Sequence, residues 1–199
     1  TAKYNTITTG DLKLTFTDTN VLTLTDALPG DSATKTISVK NTGTIDTSYN
    51  IVWQELTNEI TNNELVISAS CERLNNSNAV EGTCESITES SVENNKIKKN
   101  ISIESGITHK YTFTITFKEM NQGQDYNQNK KFNGVIGVEE YNLPTSVSFA
   151  EDSWKTIAKL VHEGEIDNYN VGDTKTVDLG TYGTHTLRVA NTSTPSECS

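Results

Sequence analysis

The chain has 199 residues and a formal net charge of -10, from 26 acidic and 16 basic residues. An acidic surface repels phosphate groups, which argues against nucleic acids and anionic membranes as partners. No apolar run approaches the roughly 20 residues that a membrane-spanning helix needs, so membrane insertion is not expected. Thr and Asn are the most abundant residues, with 31 and 21 copies. Because Thr favours strands and Asn favours turns, this composition is typical of a β-rich extracellular protein.

The first residue and the cysteines indicate the compartment. The chain begins at Thr1 without a basic-then-apolar leader, which is typical of a secreted chain after signal-peptide removal, or of a trimmed one. Cys71 and Cys84 flank a polar loop, and we predict a disulfide between them, with two buried free thiols as the alternative. Such a bond implies an oxidising, extracellular compartment and would contribute roughly 3 kcal/mol in the loop-closure model. Cys198 is left over, which suggests that the chain stops before its partner.

Alternating apolar and polar residues predict a series of short strands. The segments are 12–16, 21–24, 34–39, 49–53, 65–69, 97–103, 111–117 and 135–141, separated by turn signals. Segments 97–103 and 111–117 are expected to pair with each other. With one face apolar and the other rich in Thr and Lys, these strands predict an antiparallel β-sandwich or jelly roll over residues 1–143.

The composition changes after residue 143, where a helix is expected. Its apolar face consists of Trp154, Ile157, Ala158 and Val161, Asp152 or Ser153 can cap it, and Gly164 ends it. Two strands, 174–179 and 185–190, follow. Because one helix and two strands cannot bury a large core, we predict that residues 144–199 form a partial α+β domain, which is truncated or packs on its neighbour.

The usual enzymatic motifs are absent from the sequence. His109 is expected at the exposed start of a strand, His185 at the opening of another, and His162 near a helix C-terminus, where an imidazole is favoured. No nucleophile, base and orienting residue form a recognisable set. We therefore predict a protein that is not an enzyme and that carries no cofactor or metal.

Calcium is the inorganic ligand that the carboxylates would suit best. Those near predicted turns or strand ends are Asp11, Asp18, Asp26, Asp31, Glu139 and Glu140. No EF-hand spacing is present, so solvated surface charge is the simpler interpretation.

The order of several short motifs resembles the TasA and camelysin family of secreted bacterial proteins. They are TGDLKL at 9–14, LPGD at 28–31, KTISVKNTG at 35–43, YTFTITF at 111–117 and FNGVIGV at 132–138. The resemblance covers residues 4–141 and implies a jelly-roll subunit exported by Gram-positive bacteria to the cell surface or a biofilm matrix. In fibre-forming members, each subunit lends an N-terminal strand to the next. The metalloprotease activity described for camelysin is not carried over, because the chain has no pair of zinc ligands at helical spacing.

The N-terminal residues 1–8 fit the role of an assembly arm. They contain Tyr4 and Ile7 and neither proline nor glycine. An extended arm can complete a neighbour's sheet edge through main-chain hydrogen bonds. The alternatives are a disordered terminus and a strand paired within its own domain.

The C-terminal segment has a resemblance of its own. Segments 154–158, 169–175 and 183–191 are similar to the start of an uncharacterised domain in surface proteins of gut Firmicutes. We therefore predict a secreted structural protein of the cell surface or matrix that self-associates into fibres. The alternative is an adhesin-type module, in which the sandwich is a stalk and the C-terminal domain is a head that binds a host or matrix ligand.

Overall fold

The chain divides into two units, Thr1–Tyr141 and Asn142–Ser199, close to the boundary expected after residue 143. The computed structural model describes residues 5–9, 12–16, 20–92, 96–141 and 143–192. The strands of the first unit are β1 (Asn5–Thr9), β2 (Leu12–Phe16), β3 (Val21–Leu24), β4 (Ser32–Asn41), β5 (Thr47–Asn58), β6 (Leu65–Leu74), β7 (Val80–Thr83), β8 (Ile87–Ser91), β9 (Lys96–Ile103), β10 (Thr108–Phe117) and β11 (Phe132–Glu140). A 3-10 helix, Asp125–Asn127, lies between β10 and β11.

Two antiparallel sheets form the first unit. One has the strand order β1-β2-β4-β10-β6-β7, with β8 also paired to β6, and the other has the order β3-β11-β5-β9. The sheets pack as a sandwich, which confirms the predicted fold class. The expected pairing of segments 97–103 and 111–117 is wrong, because β9 pairs with β5 whereas β10 lies between β4 and β6. The turn between β9 and β10 thus carries the chain from one sheet to the other.

One hydrophobic core lies between the two sheets. In β10, the alternate residues Tyr111, Phe113, Ile115 and Phe117 are fully buried, whereas Thr112 is exposed. This alternation with a period of two is typical of an antiparallel strand that has one face on the core and one face exposed to solvent. Each such apolar side chain contributes about 1.5–3 kcal/mol by leaving water, so β10 is a central element of the fold.

The approach of β11 to β5 leaves no room for a side chain at Gly134. The rings of Trp53 and Phe132 meet edge to face with centroids 5.6 Å apart. A Cβ at Gly134 would lie 2.4 Å from Trp53 Cζ3 and 2.8 Å from Phe132 Cζ. Glycine is therefore required at this position by packing.

Many turns of the first unit are built on asparagine. The asparagines with a left-handed backbone, at φ between 54° and 61°, lie in turns at Asn62, Asn63, Asn78, Asn121 and Asn129, and within strand β9 at Asn100. Asparagine tolerates this conformation because its short amide can bond to nearby backbone groups. In the loop before β7, for example, Asn75 Oδ1 accepts hydrogen bonds from the backbone N–H groups of Ser77 and Ala79.

The second unit has one helix and one hairpin within residues 143–192. Helix α1 (Trp154–Glu163) begins after Ser153, which accepts a hydrogen bond from the Thr156 N–H, and ends at Gly164 with φ 73°. Strands β12 (Thr174–Asp178) and β13 (Thr184–Arg188) form the hairpin around a 3-10 turn, Gly180–Tyr182. No described helix combines the length and the apolar character needed to cross a membrane.

Helix α1 packs on a small second core, and the apolar face predicted for this helix is partly wrong. The core contains Phe149, Ile157, Leu160 and Tyr169. Of the predicted apolar face, Ile157 is buried, whereas Val161 is 58% exposed, Trp154 is 47% exposed, and Ala158 is exposed as well. The helix turns the side that carries Ile157 and Leu160 towards Phe149 and Tyr169.

Candidate assembly edge and buried polar clusters

Strand β1 is the outermost strand of the larger sheet. It pairs with β2 through five residue pairs, from Asn5 opposite Phe16 to Thr9 opposite Leu12. Among the described residues, its other edge has no strand partner. Its sequence, NTITT, contains neither charge nor proline, the devices by which proteins usually protect a sheet edge. Its main chain therefore offers an unprotected edge for strand pairing.

The other outer strands differ from β1 in charge or in length. Strand β9 carries Lys96, Lys98 and Lys99, while β7 and β8 contain Glu81 and Glu89. These charges disfavour edge-to-edge pairing with another chain. Strand β3 is uncharged but only four residues long. The longest uncharged outer strand in the described part of the two sheets is β1.

Of the two predicted assembly residues, Ile7 and Tyr4, the structure describes the first. Ile7 is in β1, opposite Leu14 of β2. Tyr4 lies outside the described residues. The arm is thus a strand paired within its own domain from Asn5 onwards, which is one of the arrangements that the sequence left open.

The predicted cysteine pair is a disulfide. Cys71 on β6 is joined to Cys84, which follows β7, with the two Cα atoms 5.1 Å apart. The Cys84 N–H also donates to the Cys71 carbonyl over 3.2 Å. Cys71 is buried and Cys84 is half-buried against the core. The bond therefore closes the β6–β7 hairpin loop rather than joining the two sheets.

A hydrogen-bonded cluster of three ring residues bridges the sheets next to the disulfide. The hydroxyl of Tyr49 on β5 lies 2.9 Å from His109 Nδ1 and 3.0 Å from the hydroxyl of Tyr111, both on β10. The expectation that His109 is exposed is wrong, since only 4% of its surface is accessible. Its position could have been found from the sequence, because it continues the alternation of Tyr111 and Phe113 by one step.

Burial makes this cluster neutral near pH 7. It lowers the pKa of His109 to about 4, and it raises the pKa of Tyr111 to about 12. The pKa of Tyr49 also lies well above its usual value, because burial and the neighbouring Tyr111 both disfavour a phenolate. Uncharged hydrogen bonds suit a cluster between packed sheets, where an unpaired charge would be costly.

A second buried cluster surrounds Glu64, which precedes β6 and is 1% exposed. Its carboxylate accepts hydrogen bonds from Gln124 Nε2 at 2.8 Å, from Asn127 Nδ2 at 2.7 Å and from the Tyr126 hydroxyl. Burial alone would raise the pKa of Glu64, but these hydrogen bonds outweigh it and hold the pKa below its usual value. The sequence did not predict this cluster, because its donors come from a polar loop with no pattern of its own.

A third cluster organises the second unit. Asp152 accepts hydrogen bonds from the Ser146 hydroxyl, the Val147 N–H and the Tyr169 hydroxyl, at 2.6 to 2.9 Å. These bonds hold the pKa of Asp152 below its usual value. Lys175 Nζ donates to the carbonyl of Asp152 over 2.7 Å and lies over the Trp154 ring. The cluster ties β12 to the start of α1.

The remaining candidate residues are separate from one another. His162 is in the last turn of α1, and His185 in β13 lies 2.9 Å from the carbonyl of Tyr182. The carboxylate of Asp31 accepts from the Leu28 N–H, and Glu139 and Glu140 end β11.

The fold does not bring together those calcium candidates that lie within the described residues. Asp26 lies in a bend with φ 52°, and Asp11 and Asp18 lie outside the described residues. Within the described ranges, one group of three potential metal ligands converges, namely Cys71, Cys84 and His109.

Comparison with known proteins gives little guidance. No protein-family model and no curated protein matches this chain. A structure of infectious bursal disease virus Gt strain is 16% identical, covers 62% of this chain and 34% of that chain, and has a TM-score of 0.29. A structure of infectious bursal disease virus Gx strain is 18% identical, covers 62% of this chain and 32% of that chain, and has a TM-score of 0.28. The chain thus spans about a third of those chains, and scores this low carry no argument about its fold or role.

Proposed function

We propose that this chain is a secreted, non-enzymatic structural protein of a bacterial cell surface or extracellular matrix. In its most specific form, it is a fibre subunit that assembles through its N-terminal strand. The observation that carries the proposal is β1, an uncharged outermost strand whose outer edge has no partner among the described residues. The resemblance of residues 4–141 to the TasA and camelysin family points in the same direction.

Strand exchange is the mode of assembly that fits this edge best. In one chain, β1 fills the place beside β2. The β1 of a second copy carries the same main-chain donors and acceptors, so exchange replaces one hydrogen-bonded ladder with an equivalent one. Each copy then gives one strand and receives one. Such a head-to-tail contact continues into a filament unless the rotation between copies closes a ring.

Negative-stain electron microscopy and light scattering test the assembly. We expect filaments from the full chain and monomers from a variant that lacks residues 1–9, because that variant has no β1 to lend to a second copy. The matched control is Thr23→Lys, an exposed position of the outer strand β3 in the other sheet, which should leave the filaments intact. Monomers from the unmodified chain would overturn the proposal.

A cysteine pair in Ile7→Cys/Leu14→Cys tests the exchange itself, since the two positions lie opposite each other. In a Cys198→Ser background, oxidised filaments should give a ladder of covalent multimers on non-reducing gels, and oxidised monomers should give a single band. Filaments that contain intramolecular bonds alone would show that β1 is not exchanged.

An adhesin-type module is the second candidate, and the surface of the second unit favours it. Its exposed large apolar side chains are Val147, Trp154, Val161, Val171, Leu179, Tyr182 and Leu187. Tyr182, at 82% exposed, is the first position to test by measuring binding to arrayed glycans and host matrix proteins. Binding by a chain that does not polymerise, lost in Tyr182→Ala but kept in Ile45→Ala, would favour this candidate.

A further inference from the structure

The group of potential metal ligands around the disulfide is not used by the proposed assembly. One donor atom from each of Cys71, Cys84 and His109 lies within 4.8 Å of the other two. In the oxidised chain, the two sulfur atoms are bonded to each other. Reduction would convert them into two thiols facing one imidazole, which is the donor set of a thiolate-rich metal site.

Main-chain contacts hold these three residues together independently of the disulfide. The Cys84 N–H donates to the Cys71 carbonyl, and the neighbouring pair Glu72 and Thr83 belongs to the β6–β7 ladder. On the other side of β6, Cys71 lies opposite Tyr111 of β10. His109 is two residues from Tyr111 and therefore on the same face of that strand. The donor set should persist when the sulfur–sulfur bond is broken.

The imidazole also has a partner of the kind that orients metal-binding histidines. Its Nδ1 lies 2.9 Å from the Tyr49 hydroxyl, which lies 3.0 Å from the Tyr111 hydroxyl. A metal-bound histidine usually uses its second ring nitrogen in such a hydrogen bond, which fixes the tautomer and the ring orientation. With Nδ1 engaged by Tyr49, Nε2 is the nitrogen left to bind a metal.

We propose that the reduced chain binds one Zn²⁺ through Cys71, Cys84 and His109. A dithiol reductant supplies two electrons and two protons to the disulfide and is itself oxidised to a disulfide. Zn²⁺ then displaces the two thiol protons to solvent and forms two zinc–sulfur bonds and one zinc–nitrogen bond. Two thiolates balance the charge of the cation, so the complex is neutral where charge is costly. A fourth, solvent ligand completes the tetrahedron, on the side of the half-buried Cys84.

Cobalt provides the spectroscopic probe for this site. The full chain is titrated anaerobically with Co²⁺, before and after reduction by a phosphine, and Zn²⁺ is then added. We expect one Co²⁺ per reduced chain, thiolate-to-cobalt charge-transfer absorption, tetrahedral ligand-field bands and displacement by Zn²⁺. The oxidised chain should give none of these signals. The same result is expected in Cys198→Ser, which removes the remaining thiol.

Variants separate the ligands from their surroundings. His109→Ala should lower the affinity of the reduced chain by more than about tenfold and Tyr49→Phe by about tenfold, since outer partners of metal ligands typically matter to this extent. His185→Ala, which removes an exposed imidazole of the second unit, should bind as the unmodified chain does. If His109→Ala does not fold, as judged by circular dichroism of the oxidised form, His109→Gln replaces it.

Two results would overturn the proposal. One is the absence of Co²⁺ charge-transfer absorption in the reduced, folded chain. The other is equal affinity and equal ligand-field bands in the unmodified chain and the histidine variant, which would place the metal on the sulfur atoms without His109.

Discussion

Glu64 is a buried carboxylate held by neutral donors. Within the described residues, its oxygens accept from an amide of Gln124, an amide of Asn127 and the Tyr126 hydroxyl. All three donors lie on the loop between β10 and β11, and the Lys118 N–H of the same loop donates to the Glu64 carbonyl. Glu64 thus anchors that loop to the start of β6, and the anchor depends on its negative charge.

Acid should weaken this anchor. The pKa of Glu64 is lower in the folded chain than in the unfolded chain. Between these two pKa values, the unfolded state therefore binds more protons than the folded state. The stabilisation that Glu64 contributes is therefore complete above its pKa in the unfolded chain. It is lost as the pH falls through its pKa in the folded chain. In thermal unfolding at a series of pH values, Glu64→Gln should lower the melting temperature at neutral pH and flatten its decline in acid.

Glu55→Gln is the matched control for this experiment, because Glu55 is an exposed carboxylate on β5. It should leave the melting temperature at neutral pH unchanged, because substitutions at exposed positions without special contacts change stability little. An acid-side decline as steep in Glu64→Gln as in the unmodified chain would contradict the role assigned to Glu64.

The structural role of a single residue can be predicted from the sequence where it depends on neighbouring residues. The Cys71–Cys84 pair and the Ser153 and Gly164 caps follow from spacing and local chemistry, and the structure contains them. The burial of Glu64 was not predicted, because it depends on donors about sixty positions away, whereas the burial of His109 follows from the alternation of β10, which the prediction ended at Tyr111. Buried polar clusters are set by tertiary contacts, which a reading of neighbouring residues does not include.

At the scale of elements, β11 depends on the absence of a side chain at Gly134. Gly134→Ala would place a methyl group against the rings of Trp53 and Phe132. Overpacking of this kind costs about 1–3 kcal/mol, and we expect the free energy of unfolding in denaturant to fall by that amount. In a Trp154→Phe background, which removes the other tryptophan, the fluorescence of Trp53 provides the signal.

Gly123→Ala serves as the comparison, since a Cβ at Gly123 would meet no atom within 4 Å. This variant should be as stable as the unmodified chain or slightly more so, because alanine restricts the unfolded state. Equal stability of the two alanine variants would contradict this, because it would show that β11 and β5 can shift to accommodate the methyl group without a loss of stability.

Elements with strong periodicity were predicted and short polar ones were not. Strand β10 alternates from His109 to Phe117, and the sequence predicts its last seven residues, 111–117. Strands β7 and β8, with the sequences VEGT and ITESS, lack an apolar face and form because they pair with β6. The partner of β9 was predicted wrongly because sequence proximity favours adjacent strands as partners, whereas this turn changes sheets.

The whole molecule carries a net charge of -10, and identical subunits with that charge repel one another. The screening length falls from about 10 Å at 0.1 M salt to about 3 Å at 1 M. If the chain assembles through the uncharged β1 edge, filament growth measured by light scattering should accelerate as salt is added. Sucrose at equal osmolarity should not reproduce the effect, and growth that slows with salt would indicate that ion pairs hold the copies together.

The disulfide also decides how the chain would respond to mechanical load. Tension carried along the backbone can pass from Cys71 to Cys84 through the sulfur atoms, so the thirteen-residue separation between them bears no force while the bond is intact. Fully extended, that segment would add roughly 40 Å to the length of the chain. If the chain forms fibres as proposed, each subunit under load would extend less while the disulfide is intact, and a thiol reductant would make the fibre more extensible without breaking a peptide bond.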